Sequence, residues 1–240
     1  SVDTLSEVAM SNFDYDSFRQ SKDYADTYTE TVQQAVLDFA NHTNGAVTVY
    51  LRYNPNYSNP TSGIFAQRQS LDSDLQCLTP TDFSMYDESD VEHVGWYYLP
   101  VQAKEAIWMS PYMNENVNIY MISYVVPLFA EDGTSIGVVG MDIDFSEVTE
   151  YVQNIGLLNT GYVLLVDSNG QVIVDNERNT YCSGSVTSLG FWDKLNSYKG
   201  SENEYGINIF SEKINGENVE VIATKDEVTG WTLVGFVSDK

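Results

Sequence analysis

Over the first forty residues the apolar side chains recur in steps of three and four. Tyr24, Tyr28, Val32, Val36 and Phe39 line one face of a 3.6-residue helix. Leu5, Val8, Ala9 and Phe13 carry the pattern back toward the start, as part of the same helix or of one before it. The polar run Asn41-His42-Thr43-Asn44 stops it, and Gly45 closes it by taking the left-handed backbone that ends helices. Residues 1–44 therefore read as a long helical segment. The period then changes. Ala46–Tyr53 is rich in Val and Tyr and ends at the turn dipeptide Asn54-Pro55, which predicts a strand. Gly63–Gln67 is a second short strand, with Asn59-Pro60 and the polar stretch Ser70–Asp90 as loops over the sheet.

Val117–Phe129 is nearly continuous in apolar and aromatic residues, the pattern of a central strand covered on both faces. The turn Glu131-Asp132-Gly133-Thr134 leads into a partner strand, Ser135–Asp144, and Asp144-Phe145-Ser146-Glu147 fits a capping box for a helix reaching about Gln153. A second unit begins near Leu157. Gly161–Val166, the turn Asp167-Ser168-Asn169-Gly170 and Gln171–Val174 form a hairpin signature. Leu189–Tyr198 predicts a short helix. Tyr205–Phe210, Glu217–Thr224 and Trp231–Val237 predict three strands, with turns at Asn215-Gly216 and Thr229-Gly230. The pattern is that of an α+β chain: a helical segment, then two antiparallel lobes over residues 45–153 and 154–240.

A chain of 240 residues with 42% hydrophobic content can hold one large domain or two modules, each with a core. No apolar run approaches the roughly 18 residues of a membrane span. The start, Ser1-Val2-Asp3-Thr4, carries no signal peptide, which leaves a cytoplasmic protein or a soluble piece whose targeting segments lie elsewhere. Charge narrows the partners: 35 acidic against 11 basic residues give a net −24, which argues against nucleic acid and anionic membrane surfaces. It fits a secreted or surface domain kept soluble by its charge. Cys77 and Cys182 lie far apart outside any CxxC pair, and whether they are bonded stays open. His42 and His93 have no partner at ligand spacing, so no metal or other cofactor is expected. A hydrolase needs paired carboxylates or a nucleophile with a base, and two histidines without a Gly-x-Ser-x-Gly elbow leave no recognisable triad. A non-enzyme is expected. A secreted hydrolase and an acidic cell-surface interaction module stand as alternatives.

The chemistry concentrates in residues 94–142. Val94-Gly95-Trp96-Tyr97 precedes Pro111-Tyr112-Met113-Asn114, and Gly137-Val138-Val139-Gly140-Met141-Asp142 follows. Aromatic faces with one strand-borne carboxylate are what an ammonium group needs, through cation–π contact and opposite charge. Strand alternation puts Val138, Gly140 and Asp142 on one face, and Val139, Met141, Ile143 and Phe145 on the other as core. Gly140 has no side chain, which is read as space for a ligand beside Asp142.

This ordered set resembles the membrane-distal pocket of the double-Cache sensor domains of bacterial transmembrane receptors. Trp96 and Tyr97 match the Trp-Tyr pair of that family's amino-acid-binding motif, Tyr112 matches the tyrosine of its Tyr-x-Asp element, and Tyr86 lies near the upstream tyrosine. Three positions depart. Val94 replaces the arginine that grips the ligand carboxylate, Asn114 replaces the aspartate, and Pro100 replaces an alanine. Valine cannot imitate a bidentate clamp. Between Asn44 and Glu177 the basic residues are Arg52, Arg68 and Lys104, so substitutes are few.

The resemblance implies two PAS-like lobes beside a long N-terminal helix. It also implies an extracytoplasmic input domain held by transmembrane helices before Ser1 and after Lys240, with a homodimer possible in the full receptor. The output would be a chemotaxis signalling domain, a histidine kinase or a cyclic-dinucleotide enzyme. The expected ligand is a small amine or amino-acid-like molecule in the 45–153 lobe, held by Tyr86, Trp96, Tyr97, Tyr112, Asn114 and Asp142.

Overall fold

The computed structural model describes residues 2–114, 118–158, 160–197 and 206–238. The chain divides into two compact units, Ser1–Met109 with Met113–Phe145, and Ser110–Tyr112 with Ser146–Lys240.

The helical start of the first unit runs in three pieces: α1 (Val2–Ala9), α2 (Tyr15–Gln20) and α3 (Tyr24–Asn41). Asn12 takes a left-handed φ of 66° just past α1, and the Asp14 carboxylate then caps α2 by accepting from the Ser17 N–H at 3.0 Å. The long helix is α3, whose Tyr28, Val32 and Val36 are buried as the spacing required. Gly45 has φ 77° at the turn into the sheet.

The sheet of this unit contains β1 (Ala46–Tyr53), β2 (Gly63–Gln67), β3 (Gln76–Cys77), β4 (Ile107–Trp108), β5 (Tyr112–Asn114), β6 (Ile119–Phe129) and β7 (Ser135–Asp144). Its order is β3-β2-β1-β7-β6-β4, with β5 also on β6. Of the expected strand at 117–129, Val117 lies outside the described residues, and Asn118 is a left-handed turn residue before β6. All eight residues of β1 are buried, so this strand has no solvent face. Alternation splits them between two cores. Val49, Leu51 and Tyr53 join Val139 and Met141 of β7 against α1, α2 and α3. Tyr50 joins Val125 and Val138 against helix α4 (Val91–Ala103) and a 3₁₀ turn at Phe83–Met85.

The second unit holds α5 (Ser146–Gln153), β8 (Tyr162–Val166), β9 (Val172–Asp175), β10 (Thr180–Tyr181), α6 (Gly190–Ser197), β11 (Ile207–Ile214), β12 (Glu217–Lys225) and β13 (Thr232–Ser238). The sheet order is β10-β9-β8-β13-β12-β11. Tyr198 and Tyr205, expected at the ends of a helix and a strand, lie outside the described residues. Phe191 and Trp192 of α6 pack on Val166, Val221, Val234 and Phe236. The β11–β12 turn has Asn215 at φ 52° and Gly216 at φ 90°, the left-handed pair that matches strand twist. Among the described residues no helix is long and apolar enough to cross a membrane.

At Gly63 the backbone of β2 lies close against β1. The glycine has φ 114°, and a Cβ there would lie 2.0 Å from the Leu51 carbonyl oxygen. Gly133 at φ 83° has open space around it. Gly63→Ala should lose about 2–4 kcal/mol of unfolding free energy, against about 1 kcal/mol for Gly133→Ala. Urea denaturation monitored by circular dichroism measures both, and equal losses would contradict the close approach.

Candidate functional site

Helix α4 carries Trp96 and Tyr97, and the sequence hid it. Gly95 and Pro100 are helix breakers, yet both sit inside α4. A signal was present: Asp90 caps the helix by accepting from the His93 N–H at 3.2 Å, and Val94, Tyr97 and Val101 repeat at helical spacing. The helix ends at Lys104, left-handed at φ 58°, whose N–H donates to the Pro100 carbonyl at 2.9 Å. Val94 is fully buried against the sheet, so the position of the absent arginine is a packing position here.

The aromatic residues form one packed group over the sheet. The Trp96 indole donates to the His93 carbonyl at 2.9 Å and stands edge-on to Tyr50 and Phe83, each at 5.4 Å. Tyr86 stacks on His93 at 4.6 Å with an interplanar angle of 7°, and His93 Nδ1 meets the Asp90 carboxylate at 2.9 Å. Tyr97 packs on Phe83 at 4.5 Å. Tyr86, Trp96 and Tyr97 thus belong to the same cluster as Tyr50, Val125 and Val138.

Asp142 lies on the same face of β7 as Val138, between Thr48 of β1 and Ser123 of β6. Its carboxylate is only 6% exposed and accepts a 2.6 Å hydrogen bond from the Ser123 hydroxyl. An ionised carboxylate this deep requires hydrogen bonds or an opposite charge. Asn114, half-buried at the end of β5, reaches Met121 Sδ at 3.9 Å, two residues before Ser123 on β6. Asn114 and Asp142 therefore converge on one stretch of β6. Tyr112 is 43% exposed and is grouped with the second unit.

Two sequence readings change. The space at Gly140 belongs to Tyr50: a Cβ at 140 would lie 2.4 Å from that ring, so the glycine admits a protein side chain rather than a ligand. Tyr50 then bridges Trp96 to the strand that bears Asp142. The Tyr97 hydroxyl, by contrast, faces Ser135. Ser135 is seven residues from Asp142 on β7, roughly 23 Å along an extended strand. Asn114 and Asp142 thus lie toward one end of this face, Trp96 stands against Tyr50 and Phe83, and the Tyr97 phenol turns toward Ser135.

The two arginines between Asn44 and Glu177 are held by backbone carbonyls. Arg52 donates to the carbonyls of Ser62, Pro60 and Thr81 at 3.3, 3.0 and 2.8 Å. Arg68 donates to those of Ala46, Ser73 and Asn41. Lys104 is exposed at the helix end. On the other flank of α4 a cleft of about 530 Å³ is lined by Asp87, Glu88, Gly95 and Tyr98 among others, and none of the six candidate residues lines it. In the second unit the buried acids serve turns. Asp167 accepts from the Asn169 and Gln171 N–H groups at 2.8 Å, and Asp175 from those of Glu177 and Arg178 at 3.0 Å. Cys77 and Cys182 are not disulfide-bonded, and the Cys182 thiol meets the Pro111 carbonyl at 3.2 Å.

The chain matches the family model described as Cache domain over residues 2–240. The sensory domain of the Campylobacter jejuni chemoreceptor Tlp3 superposes with a TM-score of 0.59 at 20% identity, covering 99% of this chain and 83% of that one. An extracellular domain ascribed to the histidine kinase mmHK1S-Z2 gives 0.61 at 16% identity, covering 93% and 96%. The methyl-accepting chemotaxis protein McpA of Pseudomonas putida is 31% identical over 80 residues, which is 33% of this chain and 12% of that receptor.

Buried phenols give this unit an alkaline limit. Burial pushes up the Tyr97 phenol, with Ser135 offsetting part of the shift, and burial pushes up Tyr53 as well. Tyr28 rises to about 12, first through burial and then through Tyr24. A raised folded-state pKa contributes stability that is complete below the unfolded phenol value of about 10. That stability is lost as pH climbs toward the folded value, because the unfolded chain releases its protons first. Unfolding free energy should thus fall above pH ~10, by about 1.4 kcal/mol per pH unit for each such phenol. Tyr53→Phe should flatten the slope by one phenol's share, read from urea titrations at stepped pH. An unchanged slope would contradict the burial.

Proposed function

The chain belongs to the Cache domain family, and we propose that it is the extracytoplasmic input domain of a bacterial transmembrane receptor, binding a small amine-bearing ligand on the α4 side of its first sheet. The observation that carries this reading is Asp142. It is a buried carboxylate held by Ser123 on a face whose other contributors are largely aromatic. A ligand ammonium supplies its opposite charge, and Trp96 supplies a ring for cation–π contact. Asn114 adds an amide that accepts or donates. Tyr86 and Tyr97 back Trp96 in the aromatic cluster.

A solved Tlp3 sensory domain carries isoleucine. That protein takes an α-amino acid. Here Val94 is packed into the core and Arg52 and Arg68 are engaged by carbonyls, so an α-carboxylate has no guanidinium clamp beside Asp142. The chemistry favours an amine, or an amino-acid-like molecule recognised mainly through its ammonium.

In this reading residues 1–44 form the stalk, the lobe at 45–153 lies distal to the membrane and holds the ligand, and the lobe at 154–240 passes the signal inward. The acids of the second unit support that division, since Asp167 and Asp175 are consumed by backbone N–H groups. The receptor would work without catalysis in this domain and as a homodimer. Its output would be a chemotaxis domain, a histidine kinase or a cyclic-dinucleotide enzyme.

A thermal-shift screen of amines, amino acids, purines and carboxylates should find stabilisation by amines, and calorimetry should then measure affinity. Asp142→Asn should weaken the amine by about 2–5 kcal/mol, since the bound cation loses its counter-charge. Trp96→Ala should cost about 1–3 kcal/mol. A neutral analogue should bind poorly and be indifferent to Asp142→Asn. Unchanged amine affinity in folded Asp142→Asn would sink the ammonium reading.

A further inference from the structure

Two rows of paired residues lie side by side on the α4 face of the first sheet. Thr48, Asp142 and Ser123 stand opposite one another across β1, β7 and β6. The adjoining row is Tyr50, Gly140 and Val125. In most rows of a sheet each position is filled by its own side chain. Here the Tyr50 ring crosses onto the glycine: a Cβ at 140 would lie 2.4 Å from both its Cζ and its hydroxyl oxygen. The phenol of a β1 residue therefore lies over β7, two residues from Asp142 on the same face, about 7 Å along the strand. Packing holds the ring there. Trp96 stands edge-on to it at 5.4 Å, and Tyr50 shares a core cluster with Phe83, Val125 and Val138.

This placement bounds any ligand at Asp142. None of Thr48, Tyr50, Ser123 and Asp142 is more than 6% exposed, so a cation bound to the carboxylate leaves water entirely. Toward Val138, the strip of β7 next to Asp142 is covered by the Tyr50 ring. Toward the other end, the Asn114 amide reaches Met121 Sδ at 3.9 Å, and Met121 is paired with Asp144. A ligand body therefore meets a side chain in both directions along β7. The ring also changes the chemistry of the enclosure, because an aromatic π system near an ammonium adds attraction that an aliphatic side chain lacks. The sequence could not point to Tyr50, which lies outside the 94–142 stretch that carries the motif residues.

Resting on the reading that Asp142 holds an ammonium, we propose that Tyr50 is the specificity-determining residue of that site and restricts it to short-chain amines. The ammonium sits at Asp142 against the Tyr50 ring, and the ring denies a longer body the strip over Gly140. Gly140 is the residue that admits the ring. Discrimination of this kind is steric, and each methylene that does not fit costs about tenfold or more in affinity.

Calorimetry with methylamine, propylamine and hexylamine reads the selection. Wild-type protein should bind hexylamine at least about tenfold more weakly than propylamine. In Tyr50→Leu that ratio should close or reverse, while methylamine weakens by about tenfold for want of the ring. Tyr50→Phe keeps the ring and should keep the wild-type ratio. Since Tyr50 is a core residue, a measurement on the wild type stands beside the variants: nuclear Overhauser effects should connect the propylamine methylenes to the Tyr50 ring protons. An unchanged ratio in folded Tyr50→Leu overturns the proposal, as do contacts from propylamine to other residues but none to Tyr50. Asp142→Asn separates that failure from failure of the ligand reading. Amine affinity lost in Asp142→Asn with an unchanged ratio in Tyr50→Leu sinks the role of Tyr50 alone. Amines that do not bind the wild type, or that bind Asp142→Asn equally well, sink the ammonium at Asp142 and the selection with it.

Discussion

The central strands of the first sheet, β1 and β7, are buried on both faces, and the architecture of their unit follows from that. A strand such as β1, with eight buried residues in sequence, needs a covering layer on each side. The N-terminal helices supply one layer, placing Leu5, Phe18, Val32 and Val36 against Val49, Leu51 and Met141. Helix α4 and the loop before it supply the other, placing Val94 and Tyr97 against Val125 and Val138. Gly63 and Gly137 keep backbones close at the end of β1, since a Cβ at either would lie 2.0 Å from a β1 carbonyl oxygen.

A binding group on the α4 side must therefore live inside a core, where every polar atom is expensive unless it is partnered. The side chains on this face show how that is managed. Asp142 takes the Ser123 hydroxyl at 2.6 Å, and Arg52 takes loop carbonyls. The aromatic group is dual in the same sense. Trp96 is wedged between Tyr50 and Phe83 and tied to the His93 carbonyl, which fixes the orientation of its ring. In the proposed ligand site, preorganisation of that kind would reduce the ordering cost of binding. Among the described residues of the second unit, the core is aliphatic and aromatic, and the buried acids Asp167 and Asp175 close turns.

The period of apolar residues was enough to place most of the architecture. The short β3 lies inside Ser70–Asp90, which reads as a loop, and β4, β5 and β10 carry no run that marks them. The face Tyr28-Val32-Val36 is buried in α3, the turn at Asn215-Gly216 joins β11 to β12, and the longer strands fall on the alternating or continuous apolar runs. These are local signals, set by backbone sterics and side-chain direction, and they survive in any fold that buries them. The breaks between α1, α2 and α3 were less legible, because Asn12 takes its left-handed turn inside a stretch with continuous helical spacing.

What the tertiary structure decided lies on the α4 face. Helix α4 itself forms despite Gly95 and Pro100, since packing of Val94 and Tyr97 on the sheet outweighs their local preference. The sequence marked Asp142 and Gly140 as sharing a face, which the pairing with Thr48 and Tyr50 upholds. It did not reveal that Tyr50, ninety residues earlier, fills the space over Gly140, or that the Tyr97 phenol turns toward Ser135. Strand alternation fixes which side of a sheet a residue faces. What stands opposite that side chain depends on strands and helices brought together from distant parts of the chain, and only the assembled core holds that information.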